Sequence, residues 1–382
     1  MSVYLMNKES AARWMERCLS LAANADSATS PNPRVGCVIL SSEGKLLGEG
    51  WHRYAGGPHA ETEAIEQAGS RYGPKALEGA TLVVNLEPCN HQGRTPPCTQ
   101  GILQAGIARV YIGMCDPNPR AAGGMAMLRG HKIAVTTDIL RDRCYRFNEA
   151  FVHWHTKRLP FVTLKLAQTL DGCVATATGE SQWITGEAAR KYVHVWRREH
   201  DAVLIGSGTA RIDNPSLTVR HVSGMQPMRI ILDGKGNLSA TLKLFTDQWG
   251  AKTTAVVTEG VTPEYSDQLL GNGGCLMVAP SEAGRISLPE LIHLLGETKQ
   301  AGSRVQSLLV EAGPALASAL LRQNLVDRLR LFIAPKMIGN GLRAIGDLGV
   351  EQLAQSLVFA QYSWESVGVD QLFTGYKHPI PT

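Results

Sequence analysis

The sequence predicts an α/β protein built from two domains, and three observations lead there. The chain has 382 residues, beyond the ~250–300 at which a single hydrophobic core stops growing. Short β-rich runs alternate with helix-period segments along both halves, the pattern of sheets covered by helices. Arg158-Leu159-Pro160 interrupts that alternation near the middle, because proline restricts the residue before it and ends helices. The boundary is expected within 156–160, giving domains 1–156 and 157–382.

In the first domain, residues 8–23 carry Ala12, Met15, Leu19 and Ala22 at helical spacing, with Asn7 as N-cap. Residues 34–40 read as a strand, Glu43-Gly44 as a turn, and the run to Trp51 as a second strand. A helix is expected over 59–68, a strand over 81–86, a helix over 98–105 opened by Pro96-Pro97, and a strand over 109–114. Asp138 is expected to cap a helix running on through Ala150 to His155. In the second domain, strands are expected at 161–166, 202–205, 229–232, 254–257, 275–278, 308–310 and 329–334. Helices are expected between them at 187–198, 289–295 and 315–323. No repeat of fixed period and no low-complexity tract interrupts the pattern.

Composition narrows the function classes. Apolar residues make up 44% and charged residues 19%, an ordinary globular mixture rather than a disordered one. No apolar stretch reaches the ~18 residues of a membrane span, and residues 1–10 lack a signal-peptide pattern, so a cytoplasmic protein is expected. The net charge of +4 is scattered, without the basic run of a nucleic-acid binder. Of the eight cysteines, Cys18, Cys37, Cys115, Cys144, Cys173 and Cys275 read as small buried apolar residues.

Cys89 and Cys98 differ in their surroundings. His59-Ala60-Glu61 is followed by Glu87-Pro88-Cys89 and Thr95-Pro96-Pro97-Cys98. One imidazole and two thiolates suit zinc, and three protein ligands leave the fourth tetrahedral position to water. Zinc lowers the pKa of such a water to ~7. Glu61, two residues after His59, is within reach of that water and can shuttle its proton to a departing amine, as in hydrolytic deaminases. The competing arrangement is a structural zinc knot closed by His52 or His91.

Cytidine deaminases commonly separate their cysteines by two residues, whereas here eight intervene. With that insert, Pro31-Asn32-Pro33-Arg34-Val35-Gly36, Gly50-Trp51-His52 and the long Cys89–Cys98 segment resemble the bifunctional deaminase/reductase family of riboflavin biosynthesis. The resemblance implies a cytidine-deaminase-like three-layer α/β/α domain followed by a dihydrofolate-reductase-like α/β domain. It implies hydrolysis of the 2-amino group of 2,5-diamino-6-ribosylamino-4(3H)-pyrimidinone 5′-phosphate, with Asn32, His52, Asn85 and His91 in the pocket.

The second half carries three matching stretches: residues 164–172 with 181–185, residues 201–220, and Glu311-Ala312-Gly313-Pro314. Glycine before a helix lets backbone and helix-opening N–H groups approach phosphate. The G-x-G-x-x-G dinucleotide fingerprint is missing, since Gly206-Ser207-Gly208 runs into Thr209-Ala210-Arg211. The resemblance implies NADPH-dependent reduction of the ribosyl group to give 5-amino-6-(5-phospho-D-ribitylamino)uracil. Lys165, Ser181, Arg197, Leu217, Arg220 and Glu311 match its substrate contacts; Ala167, Trp183, Thr209, Asp213 and Gly313 match its cofactor contacts. Ala312 stands where the family commonly has glycine, and Asp213 and Glu311 are both candidates for the proton donor. A homo-oligomer formed through the second domain is also implied. Two further alternatives are a deaminase with a non-catalytic second domain and a nucleic-acid-editing deaminase.

Overall fold

The computed structural model describes residues 6–297 and 304–381. The chain separates into two compact units, Met1–Lys157 and Arg158–Thr382. Among the described residues no helix is long and apolar enough to cross a membrane.

The first unit runs α1 (Lys8–Ala22), β1 (Gly36–Leu40), β2 (Leu46–Trp51), α2 (Ala60–Tyr72), β3 (Thr81–Val84), α3 (Cys98–Gln104), β4 (Arg109–Ile112), α4 (Gly124–Gly130), β5 (Ala134–Thr136), α5 (Arg141–Phe147) and α6 (Glu149–Lys157). Its sheet has the order β2-β1-β3-β4-β5. β1 is antiparallel to β2 and β3, while β3, β4 and β5 are mutually parallel.

Both faces of this sheet are covered, so its strands are apolar throughout and side chains alternate between two cores. Cys37, Ile39, Leu82, Val84, Val110 and Ile112 pack with Ala60, Ala64, Ile102 and Leu128 of α2, α3 and α4. Val38, Leu40, Val83 and Tyr111 face the opposite way, against Met15 and Cys18 of α1 and Phe151 and Val152 of α6. Three layers result. Asn7 caps α1 by accepting from the Ser10 N–H at 2.8 Å. Gly48 and Gly50 let α2 lie directly on β2: a Cβ at Gly50 would stand 2.5 Å from the Ala60 carbonyl, and one at Gly48 2.3 Å from that of Ala64.

The second unit contains β6 (Phe161–Thr169), β7 (Cys173–Thr176), α7 (Glu187–Glu199), β8 (Ala202–Gly206), α8 (Ser207–Asp213), β9 (Met228–Leu232), α9 (Lys243–Thr246), β10 (Thr253–Val257), α10 (Pro263–Gly271) and β11 (Cys275–Val278). It continues with β12 (Ser281–Glu282), β13 (Arg285–Ile286), α11 (Leu288–Glu297), β14 (Ser307–Glu311), α12 (Pro314–Arg322), β15 (Arg328–Ala334), β16 (Gly341–Arg343), β17 (Gln361–Val367) and β18 (Asp370–Tyr376). The main sheet has the order β11-β10-β9-β8-β14-β6-β15-β18-β17. It is parallel from β11 to β15, then antiparallel through β18 and β17. Period-two alternation again splits the core, with Leu204 and Val310 on one side and Val203 and Leu309 on the other.

Several expectations are corrected. Asp138 does not cap a helix: it has φ +64°, Leu140 has φ +52°, and α5 begins only at Arg141. The expected continuous helix also breaks at Asn148, whose side chain accepts from the Arg34 N–H at 2.9 Å and donates to the Arg34 carbonyl at 3.0 Å. Cys115 and Cys275 are exposed rather than buried. The short elements α4 and β5 and the β17–β18 hairpin are absent from the sequence expectations.

Candidate active sites

Strand–helix junctions build the first site. The close approach of α2 to β2 places His59, the residue before α2, beside the loop that follows β3. Cys98 opens α3, and its N–H lies 3.5 Å from Cys89 Sγ. The donor atoms of His59, Cys89 and Cys98 lie within 4.8 Å of one another. His59 Nδ1 faces both sulfurs, 3.2 Å from Cys98 and 3.5 Å from Cys89, while Nε2 is 3.4 Å from Thr95 Oγ1. The insert between the cysteines therefore holds the back of the imidazole and leaves Nδ1 for a cation.

The two thiols shift in opposite directions. Cys89 is pushed down to about 4, first by the hydrogen bond from Cys98 and also by His59, against burial. Cys98 is pushed well up by Cys89 and by burial. A divalent cation would let both sulfurs ionise, so the donor set fits zinc. No fourth His, Cys, Asp or Glu joins the group among the described residues. His52 is not free to close it: Nδ1 meets the Pro58 carbonyl at 2.8 Å and Nε2 meets Asn32 Nδ2 at 3.1 Å.

Glu61 lies in the first turn of α2 at 4% exposure. Burial raises its carboxyl pKa, with His59 opposing, and its carboxyl also interacts with Cys98. Asn32 and His52 are hydrogen-bonded to each other, and the His52 ring centroid is 5.4 Å from that of His59. His91 is half-buried, and its buried Nδ1 has no hydrogen-bond partner among the described residues. Asn85 departs from its expected pocket role. Fully buried, it accepts from the Gly36 N–H at 2.8 Å and donates to the Arg34 carbonyl at 3.1 Å, bracing the entry to β1.

Asp116 and Glu87 were not among the expected site residues. Buried Glu87 accepts N–H bonds from Asp116, Gly123 and Met125 at 3.0–3.1 Å, fixing the loop after β4. Burial pushes the Asp116 carboxyl up to about 7, with Glu87, Cys89 and Glu61 adding to the shift. The legible signal was Asp116-Pro117-Asn118-Pro119, turn chemistry at the carboxyl end of a parallel strand.

The second site gathers beside the middle of β6 and the carboxyl ends of β8 and β14. Parallel register sets Lys165 beside Glu311. Arg197 of α7 binds Glu311 with two bonds, Nε at 2.6 Å and Nη2 at 2.9 Å. Burial pushes the Glu311 carboxyl up, but Arg197 and then Lys165 outweigh it and hold it below its ordinary range. Burial lowers Lys165 and raises Asp213, and their mutual attraction opposes both shifts.

The openings of α8 and α12 meet: a Cβ at Gly313 would lie 3.3 Å from Thr209 Oγ1. Leu217 is buried at φ +50°, and Arg220 extends from it with an exposed side chain. Trp183 is 62% exposed, covered on one face by Arg190 at 4.7 Å, and its carbonyl accepts from Lys336 Nζ at 2.7 Å. Ala167 and Ser181 are half-buried. Among the described residues these two and Trp183 make no hydrogen bond to the Lys165–Arg197–Glu311 cluster.

The comparisons with known proteins follow the same division. The cytidine and deoxycytidylate deaminase zinc-binding region matches residues 8–114, and the RibD C-terminal domain matches residues 160–373. Fold and site thus define a zinc-dependent deaminase joined to a dihydrofolate-reductase-like reductase. The riboflavin biosynthesis protein RibD of Synechocystis is 40% identical over 370 residues, 95% of each chain. That of Aquifex aeolicus is also 40% identical, covering 96% of this chain and 98% of its own. The structure of Acinetobacter baumannii RibD (form 1) superposes with TM-score 0.84 at 34% identity, covering 97% of this chain and 99% of that one. A Thermotoga maritima diaminohydroxyphosphoribosylaminopyrimidine deaminase/5-amino-6-(5-phosphoribosylamino)uracil reductase gives TM-score 0.82 at 34% identity over 97% and 99%. The chain belongs to the RibD family, the bifunctional deaminase–reductases of riboflavin biosynthesis, which use zinc and NADPH.

Proposed function

We propose that His59, Cys89 and Cys98 hold the zinc and that Glu61 is the proton shuttle of the deamination. The buried position of Glu61 against that donor set carries the assignment. When bound, zinc supplies an activated water. Glu61 takes a proton at its carboxylate and delivers it to the leaving 2-amino group of 2,5-diamino-6-ribosylamino-4(3H)-pyrimidinone 5′-phosphate. Asn32, His52 and His91 line the same pocket and orient the pyrimidine nucleotide, His91 through its unengaged Nδ1. Glu61→Gln tests the shuttle: zinc stays bound and ammonia release is lost.

In the second unit Lys165, Ser181, Arg197, Leu217, Arg220 and Glu311 receive the deaminated product. Ala167, Trp183, Thr209, Asp213 and Gly313 hold NADPH, which supplies the hydride to the ribosyl carbon. Asp213 is the better suited of the two candidate acids for the open-chain sugar, since burial raises its carboxyl, whereas Arg197 holds both Glu311 oxygens and favours the ionised form. The chain is cytoplasmic and acts on a small molecule, not on nucleic acid or membrane. A second copy of the chain pairs along β17, an edge strand carrying Tyr362 and Trp364 exposed. Sedimentation at micromolar concentration checks the oligomer, and a monomer contradicts it.

A further inference from the structure

Residues 218–220 belong to no strand, yet their backbone is bonded as though they did. The Thr218 carbonyl accepts from Arg197 Nη1 at 3.1 Å. The Val219 N–H donates to Gln226 Oε1 at 2.7 Å, and the Val219 carbonyl accepts from Gln226 Nε2 at 2.9 Å. The Arg220 N–H donates to His194 Nδ1 at 3.2 Å. Buried backbone groups must be partnered, and here side chains take the place of both neighbouring strands. His194 and Arg197 are one turn apart on α7 and so grip residues 220 and 218 from one side. The Gln226 amide, donor and acceptor in one plane, grips both groups of residue 219.

We propose that His194 and Gln226 are positioning residues of the reductase: with Arg197 they clamp residues 218–220 and so aim Arg220 at the substrate's phosphate. The proposal rests on the assignment of Leu217 and Arg220 to the substrate. Four features tie the clamp to the site rather than to general stability. The guanidinium that holds Thr218 is the same one that binds Glu311 with two bonds. Leu217, immediately before the clamp, is held at φ +50°, a conformation that costs a branched-chain residue energy unless its surroundings impose it. Arg220 Nη1 reaches back to Thr218 Oγ1 at 3.2 Å, so the clamp also orients the guanidinium. His194 must be neutral to accept at Nδ1. Burial, with Arg197, His221 and Arg220 around it, pushes its ring down to about 4 against the single opposing charge of Glu311.

The test separates KM from kcat in NADPH oxidation with the deaminated ribosylamino pyrimidine phosphate. Gln226→Glu keeps the acceptor for the Val219 N–H but turns a carboxylate oxygen toward the Val219 carbonyl; His194→Phe removes the acceptor altogether. Each variant raises KM about 10-fold, the size of one lost buried hydrogen bond, with kcat within about 2-fold and NADPH affinity, from nucleotide fluorescence titration, unchanged. His194→Asn, whose amide oxygen can replace Nδ1, recovers most of the KM. Should His194→Phe fail to fold, Gln226→Glu and His194→Asn decide the matter. Unchanged KM in Gln226→Glu, beside a raised KM in Arg220→Ala, overturns the clamp while sparing the Arg220 assignment. Unchanged KM in Arg220→Ala removes the assignment and the proposal with it. Equal losses of kcat, NADPH affinity and melting temperature mark a merely structural role and also overturn it.

Discussion

Glu61 occupies a buried position where water solvates a carboxylate poorly, so its proton affinity is raised, with His59 opposing. Replacing it with glutamine preserves shape and removes the exchangeable proton. Ammonia release is expected to fall at least about 100-fold, while atomic absorption still finds zinc; loss of the metal from Glu61→Gln would make Glu61 a ligand instead. His194 gives a pH signature of its own. Its folded pKa of about 4 lies below the ordinary 6.5, so the unfolded chain binds more protons between those values and stability falls as pH drops from 6.5 to 4. Arg197, Arg220 and His221 face it as like charges and Glu311 as the opposite one. Melting of the second unit between pH 4.5 and 6.5 is expected to depend less on pH in His194→Asn than in the parent, and an identical slope would contradict it. At this scale the sequence was informative where chemistry dictates spacing. That His59, Cys89 and Cys98 would meet was legible because a three-donor set at that spacing has few other uses, and the fold brings their donor atoms within 4.8 Å of one another. Asn85 was misleading because its type suits a pocket equally well as a backbone brace, and only burial distinguishes the two. His194 and Gln226 carry no motif: what singles them out is the backbone groups they meet across the fold.

Among the elements, the contact between α2 and β2 sets the metal site. Gly48 and Gly50 remove side chains from the strand face on which the helix rests, and that close approach fixes where His59 stands. Gly50→Ala would bring a Cβ to 2.5 Å from the Ala60 carbonyl and 2.7 Å from the Ala64 nitrogen, so the helix must shift. A cost of about 1–3 kcal/mol is expected, together with weaker zinc retention against a competing chelator; unaltered zinc affinity would separate the packing from the site. The long apolar strands and the helices with clear periodicity were readable in advance. α4 was not, because it has glycine at both ends and is too short to show a period. β5 spans only Ala134–Thr136, and its residues are largely exposed. The break at Asn148 was hidden because its cause is a long-range bond to Arg34. The β17–β18 hairpin turns at Gly368, with φ +63°, and its strand β17 is exposed on both faces except at Val367. Its hydrophobic alternation therefore does not mark a core-facing side.

At the level of the whole molecule, each compact unit carries its own core and its own chemistry, and the units correspond to consecutive steps on one nucleotide. The architecture was legible from alternation and length, whereas the pairing of the two reactions came from the motif resemblance; neither composition nor period encodes a substrate. The central claim is that one chain performs both reactions at separate sites. It is tested most directly by following ammonia release and NADPH oxidation together on the purified chain supplied with the diaminopyrimidinone phosphate, with and without a zinc chelator. One NADPH is expected to be oxidised per ammonia released. The chelator is expected to stop both reactions on this substrate but to spare NADPH oxidation when the deaminated intermediate is supplied instead. Ammonia release with no NADPH oxidation, or ammonia release that survives complete removal of zinc, would contradict it.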